Sequence, residues 1–441
     1  MKTRFTMRYN EHGTCAITEP LPNRKPGSAF MLVLWTAALV LPVVGAQGGV
    51  VFTSLYSFTG GNDGYSPNGL VQSSDGYFYG TTVNGGTNSA GTVFKIGTSG
   101  ALTSLYSFSG GNDGANPQAG LVQGSDGNFY GTTQYGGKPA TGGPAGTVFK
   151  ISPNGALTNL YSFTDSFAGG NDGAAPEAGL VLGSDGNFYG TTFQGGTYFF
   201  SNSGTNGYGT VFKISTNGVL IRLYPFSGND GANPVAGLAQ GSDGYFYGTT
   251  QSGGLSNAGT VFKISTNGAL TNLYSFSGGN DGANPYAGLV QGSDGDFYGT
   301  TQSGGTNGGE GTVFKIGANG SYTSLYSFSG GADGSNPQAA LVQGSDGNFY
   351  GTTYGGGTGE AGTVFRLTVP LGPPHLTIVP AGATVILTWP TNPTGFTLQT
   401  TANLASLAGW TTVSPGPVVV NGQNTVTNPI SGTQQFFRLK Q

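Results

Sequence analysis

The sequence predicts an all-β protein: a six-bladed β-propeller closed by an N-terminal strand and followed by a small C-terminal β-sandwich. Of the 441 residues, 84 are Gly and 23 are Pro, and both residue types interrupt helices. Aromatic residues make up 12% and charged residues only 8%, which gives far more apolar surface than a disordered chain carries. A unit of about 50 residues, the period of a four-stranded propeller blade, recurs six times between residues 48 and 369.

The first 46 residues have the features of a secretory signal peptide. Residues 1–28 contain five basic side chains, and the uncharged run 29–46 that follows ends in Val44-Gly45-Ala46. A membrane anchor is the alternative, because 18 apolar residues lie at the lower limit of a span. Pro42 and the small-residue end favour cleavage after Ala46. We therefore expect a secreted protein, extracellular or on the outer cell surface, with no membrane span after cleavage.

The charge and the cysteine content exclude several classes of function. Removal of residues 1–46 leaves 10 Lys and Arg against 17 Asp and Glu, a net charge of −7. No basic surplus remains to neutralise phosphates, so we expect no nucleic-acid partner. Cys15 is the only cysteine and lies in the predicted signal. The exported chain therefore has no disulfide, no thiol nucleophile and no cysteine metal site.

Each repeat contains four short β-type runs, which we call A, B, C and D. In the second repeat they occupy residues 119–124, 128–133, 146–151 and 156–163. Asp-Gly separates A from B in all six copies, and Asn-Gly or Ser-Gly separates C from D. These pairs favour tight hairpin turns, because φ > 0 is cheap for Asn, Asp and Gly. Each repeat is therefore predicted to form a four-stranded antiparallel meander.

The strand count predicts a closed ring over residues 47–370. The region opens with an isolated D run at residues 50–58 and stops after the C run of the sixth repeat at residues 362–367. The first run thus supplies the strand that the last repeat lacks, and pairing the two removes a free sheet edge. A linear β-solenoid is the alternative architecture.

One repeat also resembles a known family. The segment LYSFSGGNDGANPYAGLVQGSDGDFYGTT, residues 273–301, is similar to the GloVer tandem repeat of secreted or surface proteins of bacteria. This resemblance implies surface or extracellular placement and no particular reaction. The sequence ends in FFRLKQ, without the hydrophobic tail and basic stop of the family's sorting signals.

The connections that precede A and that join B to C are predicted to share one face, and all length variation falls there. The B-to-C connection is longest in the third repeat, residues 193–208, and the D-to-A connection before it is also extended. Exposed aromatic side chains on such loops stack on sugar rings or anchor a protein partner. The alternative is that the loops cover their own aromatics. The candidate ligand-binding residues are Asp165, Phe167, Phe193, Tyr198, Phe199, Phe200 and Tyr208.

Two sets of repeated aspartates are candidates for a cation or sugar site. The first set lies in the D-to-A loops: Asp63, Asp113, Asp172, Asp230, Asp281 and Asp333. Calcium needs six to eight oxygen ligands, whereas each loop supplies one carboxylate. We favour the interpretation that each Asp caps its own turn. The second set is predicted to be hairpin residues: Asp75, Asp126, Asp185, Asp243, Asp294 and Asp346.

The composition provides few catalytic groups. After signal removal one histidine remains, His375, and it lies outside the repeats, which excludes Ser-His-Asp systems and multi-His zinc sites within them. Glu177, Glu310 and Glu360 break the repetition and would be the acids of a glycosidase. We favour solvated surface glutamates, and we predict no catalytic residue, metal or cofactor.

The composition changes after Pro370. Residues 371–374 are predicted to form a linker, and residues 375–441 a fibronectin-like β-sandwich with Trp389 and Trp410 in its core. Its place after the repeats suggests a sorting or attachment module. A spacer and a carbohydrate-binding role stay open.

These features predict an exported, non-enzymatic monomer that binds a polysaccharide or a cell-surface protein through the variable loops. A polysaccharide-active hydrolase or lyase that uses Glu177 or another loop acid is one alternative. A passive surface scaffold is the other.

Overall fold

The computed structural model describes ten stretches of the chain, all within the compact unit Ser54–Gln441. These are residues 54–138, 145–164, 171–196, 207–369, 376–381, 384–390, 395–402, 409–420, 423–429 and 435–440. All the regular secondary structure in these stretches consists of β-strands. The predicted signal peptide and linker lie outside the described residues. Within the described stretches no helix is long and apolar enough to cross a membrane.

The repeats form six consecutive sheets, of which the first three come from repeats one to three. Sheet 1 contains β1 (Tyr65–Pro67), β2 (Val71–Gln72), β3 (Phe78–Asn84), β4 (Thr92–Ile96) and β5 (Leu102–Ser107). Sheet 2 contains β6 (Val122–Gln123), β7 (Phe129–Thr133), β8 (Thr147–Ile151) and β9 (Leu157–Ser162). Sheet 3 contains β10 (Val181–Leu182), β11 (Phe188–Thr192), β12 (Thr210–Ile214) and β13 (Leu220–Pro225).

Repeats four to six form the other three sheets. Sheet 4 contains β14 (Ala239–Gln240), β15 (Phe246–Thr250), β16 (Thr260–Ile264) and β17 (Leu270–Ser275). Sheet 5 contains β18 (Val290–Gln291), β19 (Phe297–Thr301), β20 (Thr312–Ile316) and β21 (Tyr322–Ser327). Sheet 6 contains β22 (Val342–Gln343), β23 (Phe349–Thr353) and β24 (Thr363–Leu367).

The predicted antiparallel meander is confirmed in these sheets. In sheet 2 the strand order is β6-β7-β8-β9, with A, B, C and D following one another, and every neighbouring pair is antiparallel. A bulge between Val148 and Phe149 shifts the C-to-D register, and the same shift recurs in each complete repeat. The B and C strands are buried on both faces, which explains their continuous apolar and threonine pattern.

Neighbouring sheets pack through two aromatic pairs that recur from repeat to repeat. Between sheets 2 and 3, the ring of Tyr130 stacks on Phe188 with centroids 4.1 Å apart, and Phe163 meets Phe212 edge-on at 5.3 Å. Equivalent stacked pairs join each of the other successive sheets. The repeats thus build one core cluster per junction rather than one core per sheet.

The two ends of this series are not joined by a strand pairing among the described residues. β24 is an edge strand of sheet 6, and its Val364 side chain is 81% exposed. Residues 54–58 are not in a strand, and the Phe58 ring lies 5.2 Å from Phe94 of sheet 1. The chain is therefore an all-β protein built of repeated, mostly four-stranded sheets.

Two further sheets follow the repeats. The first contains β25 (Thr377–Ala381), β26 (Thr384–Pro390), β29 (Val418–Val420) and β30 (Gln423–Pro429), and the second contains β27 (Thr397–Thr401), β28 (Thr411–Thr412) and β31 (Phe436–Lys440). Both sheets contribute to one core, in which Trp389 is 1% exposed, as expected. The expectation for Trp410 was wrong. Its half-buried ring lies 4.2 Å from the Arg438 guanidinium, which covers one face while leaving the ring near solvent.

Candidate functional site on the loop face

The D-to-A and B-to-C connections lie side by side, as the meander predicts, and we call their side of the sheets the loop face. In the second repeat Ala115 of one connection bridges Tyr135 of the other, and the Gly137 amide donates to the Gly111 carbonyl at 2.8 Å. The same bridge recurs in repeats three to six. The opposite side carries the tight A-to-B and C-to-D turns, in which, in the second repeat, the Gly127 amide donates to the Gly124 carbonyl and the Gly155 amide to the Ser152 carbonyl.

The aspartates of the D-to-A loops are bound within their own loops. The Asp113 carboxylate accepts hydrogen bonds from the Tyr106 hydroxyl at 3.0 Å, the Ser109 amide at 2.7 Å and the Ser109 hydroxyl. The other five aspartates make equivalent bonds to a tyrosine and to the Ser or Thr three residues after that tyrosine. The turn-capping interpretation is therefore confirmed.

Hydrogen bonds and burial shift the pKa values of Asp63 and Tyr106 in opposite directions. Donation from the Thr59 side chain and amide lowers the pKa of Asp63 to about 2. Burial, together with the bond to Asp113, raises the pKa of Tyr106 to about 12. The Asp63 carboxylate thus stays charged and the Tyr106 phenol stays neutral across the physiological range.

The aspartates of the A-to-B turns are also structural, as predicted. The Asp126 carboxylate accepts from the Asn128 amide at 3.1 Å and from the Tyr130 hydroxyl at 2.8 Å. The same tyrosine bond recurs in the other five hairpins. Among the described residues no group of three or more His, Cys, Asp or Glu could hold a metal ion.

Five of the seven candidate ligand-binding residues lie outside the described residues. This applies to Asp165, Phe167, Tyr198, Phe199 and Phe200.

The other two candidate ligand-binding residues, Phe193 and Tyr208, are half-buried. The Tyr208 ring lies against Gly228, where an added Cβ would come within 3.0 Å of its Cζ, so the ring packs on the adjacent loop. Phe193 directly follows β11, and its carbonyl accepts a bond from the Asn233 side chain at 3.0 Å. A ligand-binding role for either residue stays a prediction.

A second set of loop-face residues was missed by considering loop lengths alone. Two positions in each repeat vary among the copies directly after repeated residues: the residue after the Pro of the D-to-A loop and the residue after Gly-Thr-Thr of the B strand. We call these twelve the mouth positions. In order along the repeats they are Asn68 and Val83, Gln118 and Gln134, Glu177 and Phe193, Val235 and Gln251, Tyr286 and Gln302, and Gln338 and Tyr354.

The mouth positions of sheets 2 and 3 form a chain of hydrogen bonds. The Gln118 Nε2 donates to Gln134 Oε1 at 2.8 Å, and the Gln134 Nε2 donates to Glu177 Oε1 at 2.8 Å. Glu177 is the only carboxylate among the twelve positions. Its burial raises the pKa of the carboxyl, and the bond from Gln134 opposes this shift.

The other two glutamates differ from Glu177 in their surroundings. The side chain of Glu310 is half-buried and lies against Gly330, whose added Cβ would meet its Cγ at 3.1 Å. Glu360 is exposed on a left-handed turn with φ of 52°.

The sheets and loops define an all-β tandem-repeat protein whose loop lengths vary on one face. The chain belongs to the Gloeobacter/Verrucomicrobia repeat family, whose model matches residues 45–205 and 198–378 as two tandem copies. This confirms the resemblance noted in the sequence. No curated protein sequence matches the chain.

Several solved structures are distantly similar to the chain. The soluble aldose sugar dehydrogenase of Escherichia coli matches with 11% identity and a TM-score of 0.40, over 69% of this chain and 96% of that one. A protein of unknown function from Dyadobacter fermentans matches with 10% identity and a TM-score of 0.39, over 74% and 89%. A PL25 ulvan lyase matches with 10% identity and a TM-score of 0.36, over 74% and 81%. At these TM-scores the likenesses determine neither ring closure nor activity.

Proposed function

We propose that this chain is an exported, non-enzymatic protein that binds a polysaccharide through its loop face. The observation that carries the proposal is where the six copies differ. Their strands, hairpin aspartates and junction aromatics repeat, whereas loop length and the mouth positions vary on one face. Non-equivalent amide, carboxylate and aromatic groups on a rigid scaffold suit recognition of sugar hydroxyls and ring faces.

We further infer that the six sheets close into a propeller ring. Each junction needs a tyrosine from one sheet and a phenylalanine from the next, and the two ends of the series each hold one unmatched member. Tyr350 and Phe78 are only half-buried, whereas Phe129 and Tyr130 at internal junctions are 0% exposed. Closure would stack these two rings as the other five pairs are stacked.

Backbone contacts at the ends support the same inference. Thr132 of sheet 2 is buried and donates to the Ala178 carbonyl of sheet 3 at 3.0 Å, while its counterpart Thr352 in sheet 6 is exposed. An added Cβ at Gly120 would lie 2.7 Å from the Gly69 carbonyl, whereas one at Gly69 would meet nothing within 4 Å. Sheet 6 therefore lacks the neighbour that sheet 1 is shaped to provide.

The five complete sheets predict the register of the closing pair. In sheet 1, Thr92 pairs with Ser107 and Lys95 with Thr103. In the same register Val93 pairs with Tyr106, so its transfer to β24 places Thr363 opposite Ser57 and Val364 opposite Tyr56. Residues 54–57, which are not in a strand in the structure, would then contribute the fourth strand of sheet 6 and complete six blades of four strands.

Export and attachment complete the proposal. The uncharged run 29–46, with its small-residue end, supports secretion to the medium or the outer cell surface as a monomer. The loop face would suit a cell-surface protein as well, and the C-terminal sheets would serve attachment.

A polysaccharide-active enzyme is the second candidate. The raised pKa of Glu177 favours it, since a general acid must hold its proton near neutral pH. Glycoside hydrolysis also needs a second carboxyl group across the scissile bond. Glu177 is the only acid at the mouth positions, so we favour binding without turnover.

A screen of soluble polysaccharides tests the proposal. The purified chain is run on affinity gels that contain each polysaccharide, and the release of reducing or unsaturated ends is measured in parallel. We expect retention on at least one gel without products. Product release would establish the enzyme instead, and absence of both signals would favour a protein partner or a passive scaffold.

A further inference from the structure

We infer that the mouth positions of sheets 2 and 3 form a seat for a neutral, hydroxyl-rich polysaccharide, in which Glu177, Gln134 and Gln118 bind the sugar hydroxyls. This inference rests on the proposed function and names the class of ligand and the part of the loop face that binds it. It requires only the geometry of two adjacent sheets and does not depend on ring closure.

The hydrogen-bond chain leaves suitable groups for a ligand. Glu177 uses only Oε1 and Gln134 donates only one of its two amide protons, so Glu177 Oε2 and the second amide proton of Gln134 can bind hydroxyl groups. All three side chains are half-buried, so they are oriented yet reachable from solvent. Tyr135, the next residue along the same connection, is 50% exposed, so the loop face also offers an accessible aromatic ring there.

The hydrogen-bond chain of Gln118, Gln134 and Glu177 is not needed to pack the sheets together. At the junction of sheets 3 and 4 the corresponding mouth positions are Phe193 and Val235, whose side chains cannot form hydrogen bonds. The aromatic stack at that junction is nevertheless as close, with centroids 3.9 Å apart against 4.1 Å between sheets 2 and 3. A structural role in the junction therefore does not account for three linked polar side chains.

The charges select a neutral ligand. No Lys or Arg occupies any of the twelve mouth positions, and Glu177 places one negative charge among them. A carboxylated or sulfated polysaccharide would be repelled by an ionised Glu177, and no cationic side chain at the mouth positions offsets that charge, whereas the hydroxyls of a neutral one donate to a carboxylate.

The test compares dissociation constants for three neutral polysaccharides (a β-glucan, a galactomannan and an arabinoxylan) and for polygalacturonate. The variants are Glu177→Ala, Glu177→Gln and Gln134→Ala. Glu360→Gln serves as the control, because it removes the same charge from an exposed loop site outside the mouth positions. Near-UV circular dichroism of each variant checks that the fold is retained.

We expect the wild type to prefer a neutral polysaccharide, Glu177→Ala to weaken that binding at least tenfold, and Glu360→Gln to leave it unchanged. Glu177→Gln should weaken it less and narrow the preference over polygalacturonate. Wild-type affinity in both Glu177→Ala and Gln134→Ala, or a wild-type preference for polygalacturonate, would overturn the seat while leaving polysaccharide binding intact. A wild type that binds no polysaccharide would overturn the proposed function as well.

Discussion

Two tyrosine–aspartate pairs per repeat hold the ends of the sheets in place. One pair ties the D strand to the loop after it, as in Tyr106 and Asp113, and the other closes the A-to-B hairpin, as in Tyr130 and Asp126. Each carboxylate also accepts a backbone amide from its own turn. These aspartates thus stabilise the scaffold, and the mouth positions are available to bind a ligand.

These pairs predict a loss of stability at high pH. The pKa of Tyr106 is raised from 10.0 to about 12 in the folded chain, so its contribution is fully present below about pH 10 and is lost as the pH rises towards 12. Several other tyrosines in such pairs shift in the same direction. The thermal midpoint should therefore fall steeply above about pH 10. A midpoint that stays constant up to pH 12 would contradict the assignment.

The same pairs predict the acid limit. The pKa of Asp63 is lowered from 3.8 to about 2, so the stability it provides is present above about pH 4 and is lost as the pH falls towards 2. In the same pH series the thermal midpoint should be constant between about pH 5 and 9 and should fall below about pH 4.

The glycine inside each B strand is required because a larger side chain would not fit there. An added Cβ at Gly131 would lie 2.6 Å from the Phe149 Cζ and 2.9 Å from the Leu121 Cδ2. We expect Gly131→Ala to destabilise the fold by about 1–3 kcal/mol through overpacking. Gly359→Ala is the matched control, because its Cβ would meet nothing within 4 Å. Urea unfolding measures both, and equal stability of the two variants would refute the steric explanation.

At the residue scale the sequence predicted the structural aspartates but not their tyrosine partners. Asp-Gly is a local turn signal, whereas a bond between Tyr106 and Asp113 depends on how the loop folds back on the strand. The mouth positions could have been found by comparing the copies with one another. The linkage of Gln134 to Glu177 could not, because it joins different sheets.

At the scale of the strand, the hairpin signals predicted the B, C and D runs closely. The predicted D run at residues 156–163 corresponds to the strand Leu157–Ser162. The A strand is shorter than expected: residues 119–124 were predicted, and only Val122–Gln123 is paired. The first part of the run instead approaches the preceding sheet, since Gly120 lies close to the Gly69 carbonyl. That contact between sheets has no local sequence signal.

The proposed closing strand gives a prediction at the same scale. Phe163 is 1% exposed, and we expect Phe163→Ala to cost about 3–5 kcal/mol. Phe58 is its counterpart and contacts Phe94 as Phe163 contacts Phe212. If sheet 6 covers Phe58, then Phe58→Ala should cost a similar amount in urea unfolding. A loss below half of that value would indicate that Phe58 keeps an open side.

At the scale of the whole molecule, strand counting predicted both the number of sheets and how they would join. Six sheets of the predicted meander are present, five of them with all four strands. The closing pair depends on contact between the two ends of a 320-residue region, and no local pattern reports such a contact. The unmatched aromatic, threonine and glycine positions at the two ends are what favour a ring over a linear solenoid.

The most direct test of the ring is a disulfide across the proposed closing pair. Ser57→Cys and Thr363→Cys are combined in a chain whose only native cysteine is replaced by Cys15→Ser, and Ser107→Cys with Thr92→Cys is the control at the equivalent pair in sheet 1. Mild oxidation followed by non-reducing electrophoresis and peptide mapping reports the cross-links. A closed propeller predicts a disulfide within one chain at both pairs. A control that cross-links while the closing pair stays reduced, or joins two chains, would contradict the ring.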